Sequence, residues 1–527
     1  MPKPNRRQFN IAGPCVPGEH YMLDPLRGIG GELMSLIDSK HYFVIHASRQ
    51  SGKTTLLKQL TRDINAAGEY NAVYCNLEAA QVFTEPERGL PVIVEKLRLA
   101  LKNGGMQSGF AVDGGDIGAA SVLKDSLTAY CKMLSKPLVI FFDEADCLSN
   151  GTLITFLRQL REGYIDRADT PFVHSLALVG MRNIRDYKAR IRPDSATFGS
   201  SSPFNIVTKA FTLRNFTAAE VAELYAQHTA ETGQVFERQA VDYAFEQTQG
   251  HPWLVNAVAR ECVEEIAKRD YAVPVTRSMA EQAVQNIILA RGTHVDSMLE
   301  RLKEPRVRKI IQPLIMGEEV ADNGDDDYMF AKDLGLIRDD RDRAEPANPI
   351  YAELIFRALT QKAQESIKNA GEKYAPPNYI KDGKIDMDIL MDGFQRYWRQ
   401  NSEIWRKRYK EDIYEYDEAA AHLVMHAFLQ RVVNGGGRVV REAAAGTGRV
   451  DIVVEYYGNK YPVELKILQS ENSRAESLAQ IRGYMDKVGS DAGWLVIFDK
   501  DPGKSWDEKI FMRGETVDGK RVTVAGC

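Results

Sequence analysis

The sequence predicts an α/β protein with two centres that handle anions, one near each end of the chain, and three stretches predict it. The apolar run Tyr42-Phe43-Val44-Ile45 leads into His46-Ala47-Ser48-Arg49-Gln50-Ser51-Gly52-Lys53-Thr54-Thr55, and then into helical residues 56–60. A second apolar run, Pro137-Leu138-Val139-Ile140-Phe141-Phe142, ends in Asp143-Glu144. A third stretch, 449–467, alternates in hydrophobicity about Gly458-Asn459 and places Asp451, Glu464 and Lys466 within one predicted hairpin.

Strand, small-residue loop, Gly-Lys-Thr and helix form the context of a phosphate-binding loop. Backbone N–H groups of Gln50, Ser51, Gly52, Lys53, Thr54 and Thr55 are expected to face anionic oxygens at the helix N-terminus. Lys53 is expected to reach the β- and γ-phosphates of ATP, and the Thr54 hydroxyl to hold Mg²⁺. Ala47 stands where the motif's first glycine is usual. Alanine lacks free access to positive φ, so the loop entry is expected to be unstrained. Asp143, at the end of the second apolar strand, suits outer-shell Mg²⁺ coordination, and Glu144 beside it can polarise an attacking water. Both motifs end apolar strands, where an open α/β sheet binds its ligands.

The remaining elements follow in order. Residues 1–40 hold a polar arm and a helix near 26–39; Tyr21 or His20 either stacks on a nucleotide base or packs in the core. A strand at 70–78 and helices near 91–101 and 121–134 precede the Asp143-Glu144 strand, with a glycine-rich loop at 103–120. One strand thus lies between the two nucleotide motifs in sequence, and an acid adjoins the Mg²⁺ aspartate, which is the additional-strand, hydrolytic arrangement. The next strand, 172–180, ends at Arg182 and Asn183, candidates to sense the γ-phosphate or plain loop residues. Arg190 and Arg192 are candidate trans-acting arginines in an oligomer. A last strand spans 204–213. Then Thr217-Ala218-Ala219-Glu220 is a capping box, and helices to about 290 form a lid, with His251 and Trp253 near the nucleotide or in packing. Residues 297–360 read as a winged helix whose acidic loop 322–327 lacks calcium-binding spacing.

After a Pro-containing linker, residues 387–410 form an aromatic-rich helix with interleaved arginines and lysines, either docked on the next domain or offering a basic patch to nucleic acid. Centring the 449–467 hairpin on residues 458 and 459 puts Asp451 opposite Lys466 and Val453 opposite Glu464. Period-two alternation then brings Asp451, Glu464 and Lys466 out on one face, with Val463, Leu465 and Ile467 on the other. Two such carboxylates can share a hard divalent cation, and a lysine beside them can stabilise a phosphorane-like transition state. A helix at 475–488 brings Gln480 and Tyr484 toward the same place. His422 and His426 lack a catalytic glutamate between them and read as packing residues.

Composition narrows the function classes. The 527 residues allow roughly three domains. A net charge of −5 gives no global basic field, so contact with nucleic acid needs a local patch. The six cysteines form no C-x-x-C pair, which points to a reducing compartment without structural zinc. The N-terminus lacks an apolar signal region and no run of about 18 apolar residues occurs. The expectation is a cytoplasmic protein with no membrane partner.

Asp451 with Glu464-Leu465-Lys466, an upstream helical Glu418 and a downstream helical Gln480 resembles the PD-(D/E)XK nuclease superfamily over about residues 412–500. Val450 stands where that family often has proline. The resemblance implies that Asp451, Glu464 and Glu418 bind Mg²⁺ (or Mn²⁺), and that Lys466 and Gln480 assist phosphodiester hydrolysis. Residues 9–360 resemble AAA-like ATPases of the archaeal-ATPase and STAND-related kind, on the stretches 46–55, 141–144 and 248–254. The expected organisation is a P-loop ATPase core at 1–213, a helical lid at 214–295, a winged-helix-like domain at 296–360, a linker and aromatic/basic helix at 361–410, and a nuclease-like domain at 411–527. The expected function is ATP-controlled, Mg²⁺-dependent nucleic-acid cleavage, on DNA in the first instance. Such a pairing resembles bacterial defence, toxin-like or mobile-element proteins. Partners are nucleic acid, further copies of the chain through the ATPase domain, and a protein trigger. The rival expectation is an ATP-switched DNA- or protein-binding regulator with a non-catalytic nuclease fold.

Overall fold

The computed structural model describes residues 7–527 apart from 107–108, 111–117, 149, 182–205, 291–297, 299, 316–319, 321, 323–324, 341–342, 356, 359–378, 382, 412–423, 427, 430–432, 434–436, 441–451, 468–470, 500 and 502. The chain divides into two compact units, Met1–Gly292 with Asp322–Asn348, and Thr293–Ala321 with Pro349–Cys527. The span read from sequence as a winged helix is thereby shared between them.

The first unit is an α/β layer structure on a five-stranded parallel sheet. Its strands are β1 (Tyr42–His46), β2 (Asn71–Asn76), β3 (Leu138–Asp143), β4 (Ser175–Gly180) and β5 (Val207–Thr212), in the order β2-β3-β4-β1-β5. β4 therefore lies between the strand that feeds the phosphate loop and the strand that ends in Asp143. The alternation of each strand sorts its residues between two cores. Phe43, Ile45, Val139, Phe141, Ala177 and Val179 pack under α1 (Gly30–Asp38) and α2 (Lys53–Ala67). Tyr42, Val44, Ile140, Phe142, Leu176 and Leu178 pack under α3 (Pro86–Asn103), α4 (Val122–Met133) and α5 (Asn150–Asp166). Strands buried on both faces need the near-continuous apolar runs that the sequence shows.

A helical layer follows β5. The capping box forms as expected. Thr217 accepts from the Glu220 N–H (3.2 Å), and the Glu220 carboxylate accepts from the Thr217 N–H (2.8 Å), which starts Ala218–Thr232. Arg238–Thr248 ends at Gln249 and Gly250, both left-handed, and Pro252–Arg260 restarts the chain direction. Arg277–Ala290 packs back on these. The N-terminal arm is tied to this layer: Tyr21 is buried against Phe9 and His228, and the Trp253 indole donates to Ile11 O (2.9 Å). Of the two alternatives for Tyr21, packing is the one the structure describes. Residues 322–348 add the helix Asp326–Asp333, capped by the Asp325 carboxylate, and the hairpin β6 (Ile337–Asp340) and β7 (Arg343–Pro346). The acidic loop thus supplies a helix cap.

The second unit contains the helix Pro305–Ile315, the short ribbon β8 (Ile380–Lys381) and β9 (Lys384–Ile385), and a six-stranded mixed sheet. Its strands are β10 (Gly437–Val440), β11 (Ile452–Tyr456), β12 (Asn459–Ile467), β13 (Ala492–Phe498), β14 (Phe511–Val517) and β15 (Lys520–Gly526), ordered β10-β11-β12-β13-β15-β14. β12, β13 and β15 run parallel; the outer pairs are antiparallel. One face packs Val454, Val463, Leu465 and Val496 against Leu390, Met391 and Phe394 of the helix Met387–Glu411. The other packs Leu495, Ile497 and Val524 against Ile481 and Met485 of the helix Glu471–Val488. Among the described residues no helix is long and apolar enough to cross a membrane.

Candidate functional site

Ala47 continues β1: its N–H donates to Gly180 O (3.2 Å) on β4. The left-handed positions fall later in the loop, at Gln50 (φ 58°) and Gly52 (φ 96°), with Gly52 capping α2. That is why alanine suffices where glycine is usual. The turn aims the first N–H groups of α2, at Lys53, Thr54 and Thr55, into the space beyond the sheet. Lys53 is buried and donates to Ala47 O (2.9 Å) and Ser48 O (2.8 Å) across the loop. Burial lowers its pKa, while Glu144, Asp143 and Asp146 nearby favour its charged form. A cation held over a ring of N–H donors is a site for a polyphosphate.

Asp143 is fully buried at the end of β3. Its Oδ2 accepts from the Thr54 hydroxyl (2.8 Å) and from the Tyr74 phenol (2.9 Å); its Oδ1 accepts from the Glu144 N–H (3.0 Å). Hydroxyl and carboxylate oxygens at this spacing are the hard donor set that Mg²⁺ takes, usually keeping several of its waters. Thr54 would bind directly and Asp143 through water. Glu144 itself is left-handed (φ 56°) and lies near Lys53. Burial pushes its pKa up, and the Lys53 charge opposes that rise.

Several residues that shape this site were not legible in the sequence. Tyr74 comes from β2, whose end pairs Asn76 with Asp143. Asp146 accepts from the Met181 N–H (3.2 Å) and fills the space beside Gly180, where a Cβ would lie 2.4 Å from Asp146 Oδ1. The Cys15 N–H donates to Thr55 Oγ1 (3.0 Å), which brings the N-terminal arm onto α2. From 322–348, Asp333 comes within 3.4 Å of His46, and Gly335 (φ 73°) abuts Ser48, leaving a Cβ there only 2.3 Å from Ser48 Cβ. The signal for these contacts is tertiary. Arg182, Asn183, Arg190 and Arg192 lie outside the described residues.

In the second unit Glu464 is fully buried on β12, on the side covered by Glu471–Val488. The Lys466 ammonium, whose side chain is 41% exposed, lies 3.4 Å from Glu464 Oε1. Gln480 and the buried Tyr484 belong to the covering helix, and Tyr484 packs with Val453. The hairpin register differs from the expected one. Val453 pairs with Pro462, not Glu464, and Tyr456 pairs with Asn459. The turn is Tyr457-Gly458, both left-handed (φ 44° and 81°), as a two-residue type I′ turn requires. The slip is two residues, so the alternation of faces is kept: Glu464 lies opposite in direction to Val463 and Leu465. Asp451 and Glu418 lie outside the described residues.

Residues 36–357 match the family described as "AAA-like domain", and residues 388–501 match a domain of unknown function (DUF8371). Solved structures with a similar fold include the Walker-type ATPase of Pyrococcus abyssi, at 14% identity and TM-score 0.47, over 66% of this chain and 99% of that one. The RuvB Holliday junction branch migration motor of Thermotoga maritima gives 12% identity and TM-score 0.33, over 65% and 93%. Cdc6p of Pyrobaculum aerophilum gives 13% identity and TM-score 0.36, over 64% and 95%. No curated protein matches the chain.

Proposed function

Because the chain belongs to the AAA-like domain family, matched over more than half its length, we propose that it binds and hydrolyses ATP and that the nucleotide state governs a phosphodiester-cleaving site in residues 411–527, acting on DNA. The ATPase half of this reading is carried by the Thr54–Asp143 hydrogen bond, which joins the phosphate loop to the acidic strand. Bound between them, Mg²⁺ would neutralise charge on the β- and γ-oxygens. Lys53 would exchange its two carbonyl partners for phosphate oxygens. Glu144 would take a proton from the attacking water and orient it in line with the γ-phosphate.

That role predicts a pH dependence. Glu144 acts as a carboxylate, and its pKa is raised above the ordinary 4.5. As pH falls through the raised value Glu144 gains a proton and hydrolysis drops. The acid limb of the ATPase profile will therefore sit above pH 4.5. Glu144→Gln will hydrolyse at least about 100-fold more slowly, the scale of losing one positioned acid–base group, and will lack that limb. A glutamine variant with an unchanged profile removes Glu144 from this role.

The cleavage half rests on Glu464 and Lys466, whose charged groups lie 3.4 Å apart on β12, with Gln480 on the helix that packs on that strand. A buried carboxylate is expensive to keep without a compensating role. With Asp451 and Glu418 it would hold one or more divalent cations, and Lys466 would stabilise the charge that develops on the phosphate. The direct test incubates the full chain with plasmid, linear duplex, single strands and RNA, with Mg²⁺ or Mn²⁺, with and without ATP. Metal-dependent cleavage that responds to ATP is expected. Nucleic acid bound but uncut under every condition would replace this reading with that of an ATP-switched binding protein.

A further inference from the structure

We infer that Tyr74 is a positioning residue for the metal-bearing carboxylate: its phenol fixes the rotation of Asp143 and so sets the affinity of the site for Mg²⁺·nucleotide. The inference rests on the nucleotide reading above and deepens it. Asp143 carries three hydrogen bonds, and they are unevenly shared. Oδ2 receives two hydroxyl donors, from Thr54 on α2 and from Tyr74 on the neighbouring strand β2. Oδ1 receives one backbone N–H.

The terminal torsion of an aspartate is broad and close to two-fold, so packing alone does not select one orientation. Two hydroxyls on one oxygen, from α2 and from β2, do. They hold Oδ2 toward α2 and β2, and Oδ1 would keep a lone pair for a water of a bound Mg²⁺. Thr54 would not do this alone, because its own oxygen would also serve as a ligand when Mg²⁺ is bound. Tyr74 stands on β2, outside the phosphate loop and α2. Its ring packs beside the core under α2, and the Lys58 ammonium lies 5.7 Å from the ring centroid.

The test is calorimetric titration of the full chain with ADP, in EDTA and across a Mg²⁺ series. Tyr74→Phe keeps the ring and removes only the hydroxyl. Nucleotide affinity in EDTA should stay within about twofold of wild type, since the loop and Lys53 are untouched. The Mg²⁺ concentration that half-saturates the tightening of ADP should rise about tenfold, the scale of losing one hydrogen bond to a charged group. Tyr74→Met, which fills the space without an oxygen, should give the same shift. An unchanged Mg²⁺ dependence in both variants overturns the inference. So does a loss of ADP affinity in EDTA, which would make Tyr74 a packing residue only. Lys53→Ala in the same titration separates the two levels: if it binds ADP as wild type does, the nucleotide reading itself fails.

Discussion

Gly250→Ala will destabilise the first unit by about 2–5 kcal/mol, with roughly 1–2 from a left-handed alanine and roughly 1–3 from overpacking. Gly250 has φ 70°, and a Cβ built on it would stand 1.9 Å from the carbonyl oxygen of Phe216. That carbonyl cannot withdraw, because the Phe216 N–H is bonded to Gly250 O (2.9 Å) and the Thr217 capping box follows at once. The close approach is what lets Arg238–Thr248 hand over to Pro252–Arg260 without a longer loop. Gly233 is the control, since it is also left-handed (φ 81°) but a Cβ there meets nothing within 4 Å. Gly233→Ala should lose only the conformational part, about 1–2 kcal/mol. Thermal melts of the two variants will therefore differ, with Gly250→Ala lower by several degrees. Equal melting temperatures would mean that the Phe216–Gly250 contact is not held in solution.

The phosphate loop with its acidic strand and the Glu464–Lys466 pair on β12 were legible to different depths, and the reason is the range of the contacts involved. Lys53, Thr54, Asp143 and Glu144 lie in short segments whose meaning is local: an apolar strand, then a turn, then a helix or an acid. The parallel sheet follows from such segments because strands separated by helices can pair only through crossovers. Tyr74 was not legible, since its partner lies in a strand adjacent in the sheet and remote in sequence. The same holds for Asp333 and Gly335, which the sequence places beyond an acidic loop and the fold places against His46 and Ser48. The hairpin register was misread for a different reason. Gly458-Asn459 is the composition of a type I′ turn, but Tyr457 takes the first left-handed position in spite of its bulk. A two-residue slip preserves which face each side chain takes, so the expectation that Glu464 and Lys466 share a face did not depend on the detail that was wrong.

Lys53→Ala and Lys466→Ala will separate the two proposed activities. Lys53 holds a buried position and donates to the Ala47 and Ser48 carbonyls, both within its own loop. Removing it takes away the charge that the polyphosphate would meet, and ATP turnover should fall by at least about 100-fold, as when one preorganised transition-state donor is lost. Lys466 sits on a different sheet in a different unit, half exposed beside Glu464. Its loss should abolish DNA cleavage on the same scale and leave turnover as in wild type. The informative measurement is cleavage by Lys53→Ala. If nucleotide licenses the second centre, this variant will be inactive as a nuclease although Glu464 and Lys466 are intact. If it cuts DNA at the wild-type rate with and without ATP, the two centres are independent. A Lys466→Ala protein that still cuts, free of contaminating nuclease, would end the assignment of chemistry to β12. The pair of variants thus tests each centre and the link between them, with each result readable without the other.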